Sequence, residues 1–371
     1  MKYELEEVKT SRQFKKFIEF PYILYKNVHQ YTPPLRRDEI ESFTKSPSLE
    51  YCKVKMWIVL EGKRVVGRIA GILNEKYNDI YFKRAVGFGW IEMENDIEIA
   101  RMLLGAVEQW ALSLEMNQVH GPLGYNTWYR RGMLVDGFEN RATANTIWNF
   151  DYYPRFLNEL GYMKEADWIQ YILPANQKLP EKICHVSDVL RKRYGLSFKN
   201  VRDVIREKSV VESFFYNYNL AFKRVLNFTP LSDAEIEYFA KKIVPLLRPE
   251  LTCCVMDDKN RIAAYAFCMP SVEDVLRKSN GRLFPLGYLR LRRAMNNYDS
   301  VNLVMVGADE RWQQKGISAL IHTTLAENFR KYGIKYAVTG PIYEKNPALK
   351  IWDEYEDKMP FMRRRLFTKM L

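Results

Sequence analysis

The sequence is poor in the residues that build metal sites and disulfide frameworks. Its 371 residues include five cysteines and four histidines. The cysteines lie at positions 52, 184, 253, 254 and 268 and form no CxxC pair or Cys/His cluster. Because zinc sites and disulfide frameworks depend on such spacings, we expect neither a metal ion nor a disulfide network.

Long apolar runs are also missing, and none approaches the roughly 18 residues that span a bilayer. Residues 1–14 are charged and lack the apolar core of a signal peptide. We therefore expect a cytoplasmic protein with no membrane partner. A hydrophobic content of 47% is typical of a well-packed globular protein, and 371 residues are enough for two domains.

Acidic residues are outnumbered, since 57 Lys and Arg face 45 Asp and Glu, which gives a net charge of +12. The basic residues are spread along the chain, with denser groups at residues 290–293 and 363–365. Such a surface attracts anionic ligands, either nucleic acid or a phosphate-bearing small molecule. We expect nucleic-acid binding to be nonspecific at most. The oligomeric state is left open by the sequence.

The chain is organised around the stretch from Val301 to Leu325. An apolar run over 301–306 predicts a buried strand, and a polar loop over 307–315 follows it. Gly316 then opens an amphipathic helix. The unpaired N–H groups and dipole of a helix start favour an anion, and a glycine lets the backbone approach it closely. A plain strand–loop–helix connection would look similar.

The residues of this loop carry a resemblance to a known family. Gln313-Gln314-Lys315-Gly316-Ile317-Ser318 resembles the Gln/Arg-x-x-Gly-x-Gly/Ala loop of the GNAT acyl-CoA N-acyltransferase superfamily, with Ser318 replacing the usual Gly or Ala. Asn346 corresponds to the Asn that opens a later helix in that family, and Pro347 suits a first helical turn. The resemblance is specific over residues 301–355.

The resemblance implies acetyl-CoA or another acyl-CoA as cosubstrate, with its pyrophosphate on the glycine loop and its pantetheine arm along the preceding strand. The cofactor-binding residues that follow from it are Val304, Met305, Val306, Gly307, Gln313, Gln314, Lys315, Gly316, Ile317, Ser318, Ala319 and Asn346.

Both halves of the chain run through hairpin, strand, long helix, strand and a Gly-Pro pair. The pairs Gly121-Pro122 and Gly340-Pro341 lie 340 − 121 = 219 residues apart. Together with the resemblance, this predicts an α/β (α+β) protein of two tandem acyl-CoA N-acyltransferase-like domains, 1–175 and 176–371. Each is expected to hold a mixed, mostly antiparallel sheet flanked by helices.

The first half lacks the glycine loop and has Asp96 and Glu98 at its helix start, where they would cap the helix and repel an anion. We therefore expect a degenerate copy that shapes the acceptor pocket. Its loop 121–138 offers candidates for substrate contact, which are Tyr125, Asn126, Trp128, Tyr129 and Arg130. A packed aromatic loop is an equal alternative.

The expected chemistry is direct attack of an amine on acyl-CoA. Backbone N–H groups near Val306 could hold the oxyanion, and Asp309 or Glu310 could take the amine proton, although acids at this place often only cap a helix. The family's thiolate-protonating Tyr usually stands where this chain has Asp353, so Tyr355 is the candidate acid.

We thus predict an N-acyltransferase that moves an acyl group, expected to be acetyl, to an unidentified small-molecule or peptide amine. The alternatives are an aminoacyl-tRNA-dependent transferase and a non-catalytic CoA-binding module.

Overall fold

The computed structural model describes residues 2–175, 178–204, 214, 218–220, 222–223, 225–313 and 315–371. Contacts divide the chain into two compact units. Unit 1 comprises Met1–Ile169, Val272–Arg293 and Met362–Leu371, and unit 2 comprises Gln170–Ser271 and Ala294–Phe361. Two later segments thus group with unit 1, whereas the sequence analysis places them in the second domain. The boundary between 175 and 176 stays a prediction.

The strands are β1 (Glu4–Glu7), β2 (Cys52–Glu61), β3 (Arg64–Asn74), β4 (Ala85–Met93), β5 (Gln118–Gly121), β6 (Met133–Asp136), β7 (Met163–Pro174), β8 (Ser197–Lys199), β9 (Thr252–Met256), β10 (Ile262–Pro270), β11 (Ser300–Ala308), β12 (Tyr336–Val338), β13 (Ile342–Tyr343) and β14 (Met359–Met370).

The α-helices are α1 (Ser11–Leu24), α2 (Arg36–Thr44), α3 (Glu75–Tyr81), α4 (Ile97–Ser113), α5 (Tyr152–Glu159), α6 (Glu181–Tyr194), α7 (Val201–Val204), α8 (Asp233–Ile243), α9 (Glu273–Ser279), α10 (Gly287–Asn296) and α11 (Ser318–Lys331). Short 3₁₀ helices lie at Pro47–Glu50, Val244–Leu246, Pro249–Leu251, Glu310–Trp312 and Pro347–Glu354. None of these helices has the length and apolar character to cross a bilayer, within the residues described.

Unit 1 is built on the strand order β1-β2-β3-β4-β5-β14. Its pairs are antiparallel except β4 with β5, which run parallel. Helix α4 covers the sheet with Ile99, Leu103 and Val107, which are fully buried and recur every four residues. This spacing keeps them on one helix face and gives the unit its apolar core.

Unit 2 repeats the arrangement with the order β12-β11-β10-β9-β8, in which β11 and β12 form the parallel pair. The end of β7 pairs with β12 over residues 172–174. Helix α11 buries Leu320, Ile321 and Leu325 against this sheet. The mixed, mostly antiparallel sheet flanked by helices is confirmed in both units.

The duplication extends to a backbone irregularity. In β11 the register with β10 passes from Leu303 to Met305, so that Val304 is an extra residue. In β4 the register with β3 likewise places two residues, Trp90 and Ile91, opposite one. Each is a β-bulge, a feature that bends a strand and re-aims its peptide groups.

Candidate active site

A gap opens in unit 2 where β11 and β12 separate. The two strands pair only from Ser300 opposite Tyr336 to Asn302 opposite Val338. The next residue, Thr339, bonds instead to Tyr171, with N···O distances of 2.9 Å for both the Thr339 and the Tyr171 amides. Among the described strands none pairs with this edge of β11 beyond Asn302, a length of about 20 Å.

The bulge at Val304 lies at the mouth of this gap and changes which side chains face α11. Before it, Val301 and Leu303 pack in the α11 core; after it, Val306 and Ala308 do. The side chains that face α11 thus have odd residue numbers before the extra residue and even residue numbers after it. The peptide groups of Val304 to Gly307, which include the predicted oxyanion donors, are therefore presented irregularly along the open edge.

The glycine loop ends in a turn and not in the helix itself. Gly316 has φ +78°, and a Cβ added to it would lie 2.9 Å from Val186 Cγ1, so the position requires glycine. The sequence pattern predicts that helix α11 begins at Gly316. The helix instead begins two residues later, at Ser318. The predicted residue Gln314 lies outside the described residues.

The amides at this helix start differ in availability. Those of Ala319 and Leu320 already donate to the carbonyls of Gly316 and Ile317, at 2.9 and 3.1 Å. For the amides of Gly316, Ile317 and Ser318, no acceptor is recorded within the described part of the chain. These three are the amides that could hold an anion at the positive end of α11.

The two cations of the loop differ in how much of their charge is already neutralised by the protein. Arg311 binds Asp309 through Nε at 2.7 Å and a second nitrogen at 2.9 Å, so much of its charge is neutralised. Burial opposes ionisation of Asp309, yet these hydrogen bonds hold its pKa below the ordinary value. Lys315 is exposed, with Nζ 5.0 Å from the Trp312 ring. Lys315 is therefore the better placed cation.

The other predicted loop residues have simple positions. Glu310 is exposed on its 3₁₀ helix, and the Gln313 side chain donates to the Ala308 carbonyl at 3.1 Å. The Asn346 amide donates to the Tyr343 carbonyl at 2.8 Å, and the Asn346 carbonyl accepts from Leu349 at 2.9 Å. Asn346 thus opens the helix Pro347–Glu354 as the resemblance implies.

An apolar cavity of about 70 Å³ lies beneath the gap, entirely within unit 2. Its walls come from β7, β11, β12, α11 and the helix Pro347–Glu354, and they include Leu173, Ala175, Leu303, Val306, Ile321, His322, Leu325, Phe329, Val338, Thr339, Trp352 and Tyr355. The wall on α11 extends from Ile321 to Phe329, which corresponds to about 12 Å of helix. The cavity is therefore elongated and almost without polar lining.

Two polar side chains meet at the wall of this cavity. His322 Nδ1 and Tyr355 Oη are 2.6 Å apart, and Trp352 packs beside the imidazole. Burial lowers the pKa of His322 to about 4 and raises the pKa of Tyr355. Near neutral pH both groups are therefore uncharged, and the tautomer of the imidazole decides which of the two donates.

The predicted acid Tyr355 differs in environment from Asp353, and its catalytic role stays a prediction. Asp353, at that usual position, pairs with Lys358 at 2.6 Å on the protein surface, whereas Tyr355 is 7% exposed and lines the cavity. His322 was not predicted from the sequence. The only sequence feature that points to it is its position one helical turn after Ser318, which places both residues on the same side of α11.

The opposite face of the sheet carries a buried tyrosine, Tyr265. Tyr265 on β10 lies across from Gly307, and a Cβ added to Gly307 would be 2.4 Å from the Tyr265 hydroxyl. Tyr265 packs with Met305 and is 2% exposed. Its hydroxyl has no hydrogen-bond partner among the described residues. Such a group is costly unless something binds it.

The equivalent gap in unit 1 is filled by the chain. Beyond Gly87, where the β4–β5 pairing ends, the Phe88 carbonyl accepts from the Leu123 amide at 2.8 Å. The Met93 amide donates to the Tyr153 hydroxyl at 2.6 Å. Asp96 caps α4 by accepting from the Glu98 amide at 3.0 Å. In unit 1 these three backbone groups of the strand edge and helix start thus already have partners.

The predicted acceptor loop lies in unit 1 and is largely packed. Tyr125 and Asn126 are buried. Trp128, Tyr129 and Arg130 are partly exposed; the Tyr129 hydroxyl lies 2.6 Å from Ser46 Oγ, and Arg130 donates to the Ala144 carbonyl at 2.6 Å. A role for these residues in acceptor binding stays a prediction.

No family model matches the sequence. The chain is 24% identical to Protein YghO of Escherichia coli K12 over 96% of this chain and 93% of that protein. It is also 24% identical to the bacterial ceramide synthase of Caulobacter vibrioides, over 82% of this chain and 80% of that protein.

Solved structures agree on the fold. A tandem GNAT protein from the clavulanic acid biosynthesis pathway matches 99% of this chain and 98% of its own, with a TM-score of 0.57 and 12% identity. A GCN5-related glucosamine N-acetyltransferase region of a fungal multi-domain protein matches 99% of this chain and 38% of its own, with a TM-score of 0.59 and 12% identity. The chain therefore has the tandem GNAT fold.

Proposed function

We propose that this chain transfers an acyl group from acyl-CoA to an amine, with unit 2 as the catalytic half. The observation that carries the proposal is the open β11 edge, which joins the glycine-led start of α11 to an elongated apolar cavity. The GNAT fold implies an acyl-CoA cosubstrate, and among the described residues unit 2 has an unpaired strand edge and helix-start amides that could bind it.

Coenzyme A fits the residues of this half. The amides of Gly316 to Ser318 would receive the pyrophosphate at the positive end of α11, with Lys315 beside it. The unpaired edge from Val304 to Gly307 would pair with the amide groups of the pantetheine arm. Gly316 is required in this turn because a side chain would strain its backbone and clash with Val186.

The apolar lining of the cavity suits a fatty acyl group, longer than the acetyl group expected from the sequence. The cavity wall extends for about 12 Å along α11, and its volume of about 70 Å³ would have to widen as the chain enters, with each buried methylene contributing about 0.8 kcal/mol. Similarity to a bacterial ceramide synthase supports an acceptor of the same kind, a long-chain amine. We therefore place the activity with N-acylation of a long-chain amino alcohol.

The reaction needs few protein groups. The amine nitrogen attacks the thioester carbonyl, the C–N bond forms and the C–S bond breaks. Amides near the Val304 bulge would hold the oxyanion, and Tyr355 would give its proton to the departing thiolate. The amine proton leaves to water or to the exposed Glu310. His322 orients Tyr355 through their hydrogen bond.

Tyr265 would serve on the acceptor side. Its hydroxyl lies against Gly307 on the sheet face away from α11, where an incoming amine would approach the bulge. A neutral phenol there can accept from the amine or donate to a hydroxyl of the acceptor. The hydroxyl's lack of a partner is what this role would explain.

Direct attack is favoured over an acyl-enzyme. Burial raises the pKa of Cys253 and Cys254 to about 12, so these thiols stay protonated and unreactive. Cys184 is different, because it packs in the cluster that contains Tyr355. A test of direct attack must therefore include Cys184→Ala.

The experiment is a product assay with purified protein. Acetyl-, octanoyl- and palmitoyl-CoA are each combined with sphinganine, ethanolamine and a lysine peptide, and the amide product is identified by mass spectrometry. We expect the amide of sphinganine with a long acyl chain. A product only with acetyl-CoA would overturn the fatty-acyl assignment, and an acylated peptide from Cys184 would overturn direct attack.

A further inference from the structure

The segment 282–293, which the proposed reaction does not use, exposes an unusual group of apolar side chains. Phe284 is 89% exposed, and Leu286, Tyr288 and Leu289 are 55%, 60% and 59% exposed. These four lie within six residues of one another at the start of α10. Single exposed apolar residues are common, but a cluster of this kind marks an interaction surface.

Arginines surround this apolar tip. Arg282, Arg290, Arg292 and Arg293 are exposed, and Arg277 and Lys278 precede them on α9. No acidic residue occurs between Asp274 and Asp299 in the sequence. Within residues 275–298 the apolar tip is thus flanked by basic side chains and by no acidic ones.

The base of the segment is firmly held in unit 1. The Gly281 carbonyl accepts from the Arg36 amide at 3.0 Å, and the Asn280 carbonyl accepts from Arg36 Nε at 3.1 Å. A Cβ at Gly281 would lie 2.2 Å from the Pro34 carbonyl. Within the segment, the Tyr288 amide donates to the Leu283 carbonyl at 2.7 Å. The apolar tip is therefore presented on a fixed platform.

We propose that residues 282–293 dock the protein on an anionic phospholipid bilayer. The apolar tip would enter the boundary between headgroups and acyl chains, while the arginines meet lipid phosphates with their stems over the apolar region. Charge complementarity favours anionic lipid over a second copy, because two basic surfaces of this kind repel. The exposed Leu286 and Leu289 favour lipid over nucleic acid, because bases stack on aromatic rings and not on leucine side chains. This departs from the expectation of no membrane partner.

The test is co-sedimentation of the full chain with vesicles. Phosphatidylcholine vesicles with and without about one third phosphatidylglycerol serve as probes at low and physiological salt. We expect binding to the anionic vesicles only, weakened by salt because the contact is partly electrostatic. Arg292→Glu/Arg293→Glu should weaken binding at least about tenfold. Lys192→Glu/Arg193→Glu, the same charge change on α6, should not.

A second pair of variants tests whether the apolar side chains insert into the bilayer. Phe284→Ser/Leu286→Ser should abolish binding at physiological salt, whereas Leu112→Ser, at 53% exposure on α4, should leave it unchanged. Equal binding by Phe284→Ser/Leu286→Ser and the wild type would overturn the proposal. So would a dimer that dissociates in that variant, since it would assign the surface to a second copy. No arm depends on acyl transfer.

Discussion

In each unit, a long strand and a short strand run parallel for three residue pairs and then separate. The long strand carries a β-bulge beyond the separation in both units. In unit 1, Leu123 and Tyr153 then bond to β4, and Asp96 occupies the start of α4. In unit 2, no described strand pairs with the β11 edge beyond Asn302, and no acceptor is found among the described residues for the amides of Gly316 to Ser318. We infer that the same backbone makes a closed core in one copy and the proposed coenzyme A site in the other.

The difference teaches that the site depends on a few side chains and not on the fold. A carboxylate at the helix start satisfies the amides that a phosphate would use, and an inserted chain satisfies the strand edge.

The largest effect is expected from Gly316→Asp in unit 2, which imitates the acidic helix start of unit 1. The change forces a side chain onto a backbone with φ +78° and adds a negative charge beside the pyrophosphate. Acetyl-CoA affinity, measured by calorimetry, should fall by about 100-fold or more. Gly333→Asp is the control, because Gly333 has φ +69° with open space around it and should keep full affinity. Equal affinity in Gly316→Asp and the wild type would remove the pyrophosphate site.

Tyr355→Phe should lower kcat about 100-fold, because a general acid typically contributes 10²–10⁴. Acyl-CoA affinity should stay unchanged, since the ring that lines the cavity is retained. Single-turnover kinetics separate the two effects. A variant with normal kcat would show that another group, or water, protonates the thiolate.

Features that depend on neighbouring residues could be predicted from the sequence, whereas contacts between distant residues could not. The bulk of both sheets follows from hydrophobic periodicity, and the acidic start of α4 was visible as Asp96 and Glu98. The glycine loop was visible because its residues are contiguous. Tyr265 and His322 were not, because strand pairing and helix packing bring them to Gly307 and Tyr355 from distant parts of the chain.

The pH dependence of stability should report the buried imidazole. Burial lowers the pKa of His322 to about 4, below the ordinary value of about 6.5. The unfolded chain therefore binds the proton first, so the contribution is full above pH 6.5 and is lost as pH falls toward 4. Between pH 7 and 5 the free energy of unfolding should drop by about 2 kcal/mol from this residue. Urea unfolding of His322→Gln should show a flatter dependence, and an identical slope would exclude the imidazole as its source.

Tyr265→Phe should lower the transfer rate about tenfold, the loss of one hydrogen bond to the acceptor. It should not lower thermal stability, because the hydroxyl has no partner to lose among the described residues. Tyr298→Phe is the control, since its hydroxyl donates to Glu250 at 3.1 Å; it should lose about 1 kcal/mol of stability and keep its activity. Reduced stability with normal activity in Tyr265→Phe would make that tyrosine structural.

The smallest effect concerns unit 1, where Asp96→Ala removes the cap that stands in place of a phosphate. Hydrogen bonds from Tyr3 and the Glu98 amide hold the pKa of Asp96 below its ordinary value, so this residue stabilises the fold above about pH 4 and loses that contribution as the pH falls further. Its removal should cost about 1 kcal/mol near neutral pH, typical of a lost N-cap.

Asp96→Ala should create no second coenzyme A site, because the Leu123 amide and the Tyr153 hydroxyl still occupy the β4 edge. Calorimetric titration with acetyl-CoA should give one site per chain in both the wild type and the variant. Two sites in the wild type would mean that unit 1 is a working copy after all, whereas a second site only in Asp96→Ala would mean that one carboxylate keeps it closed.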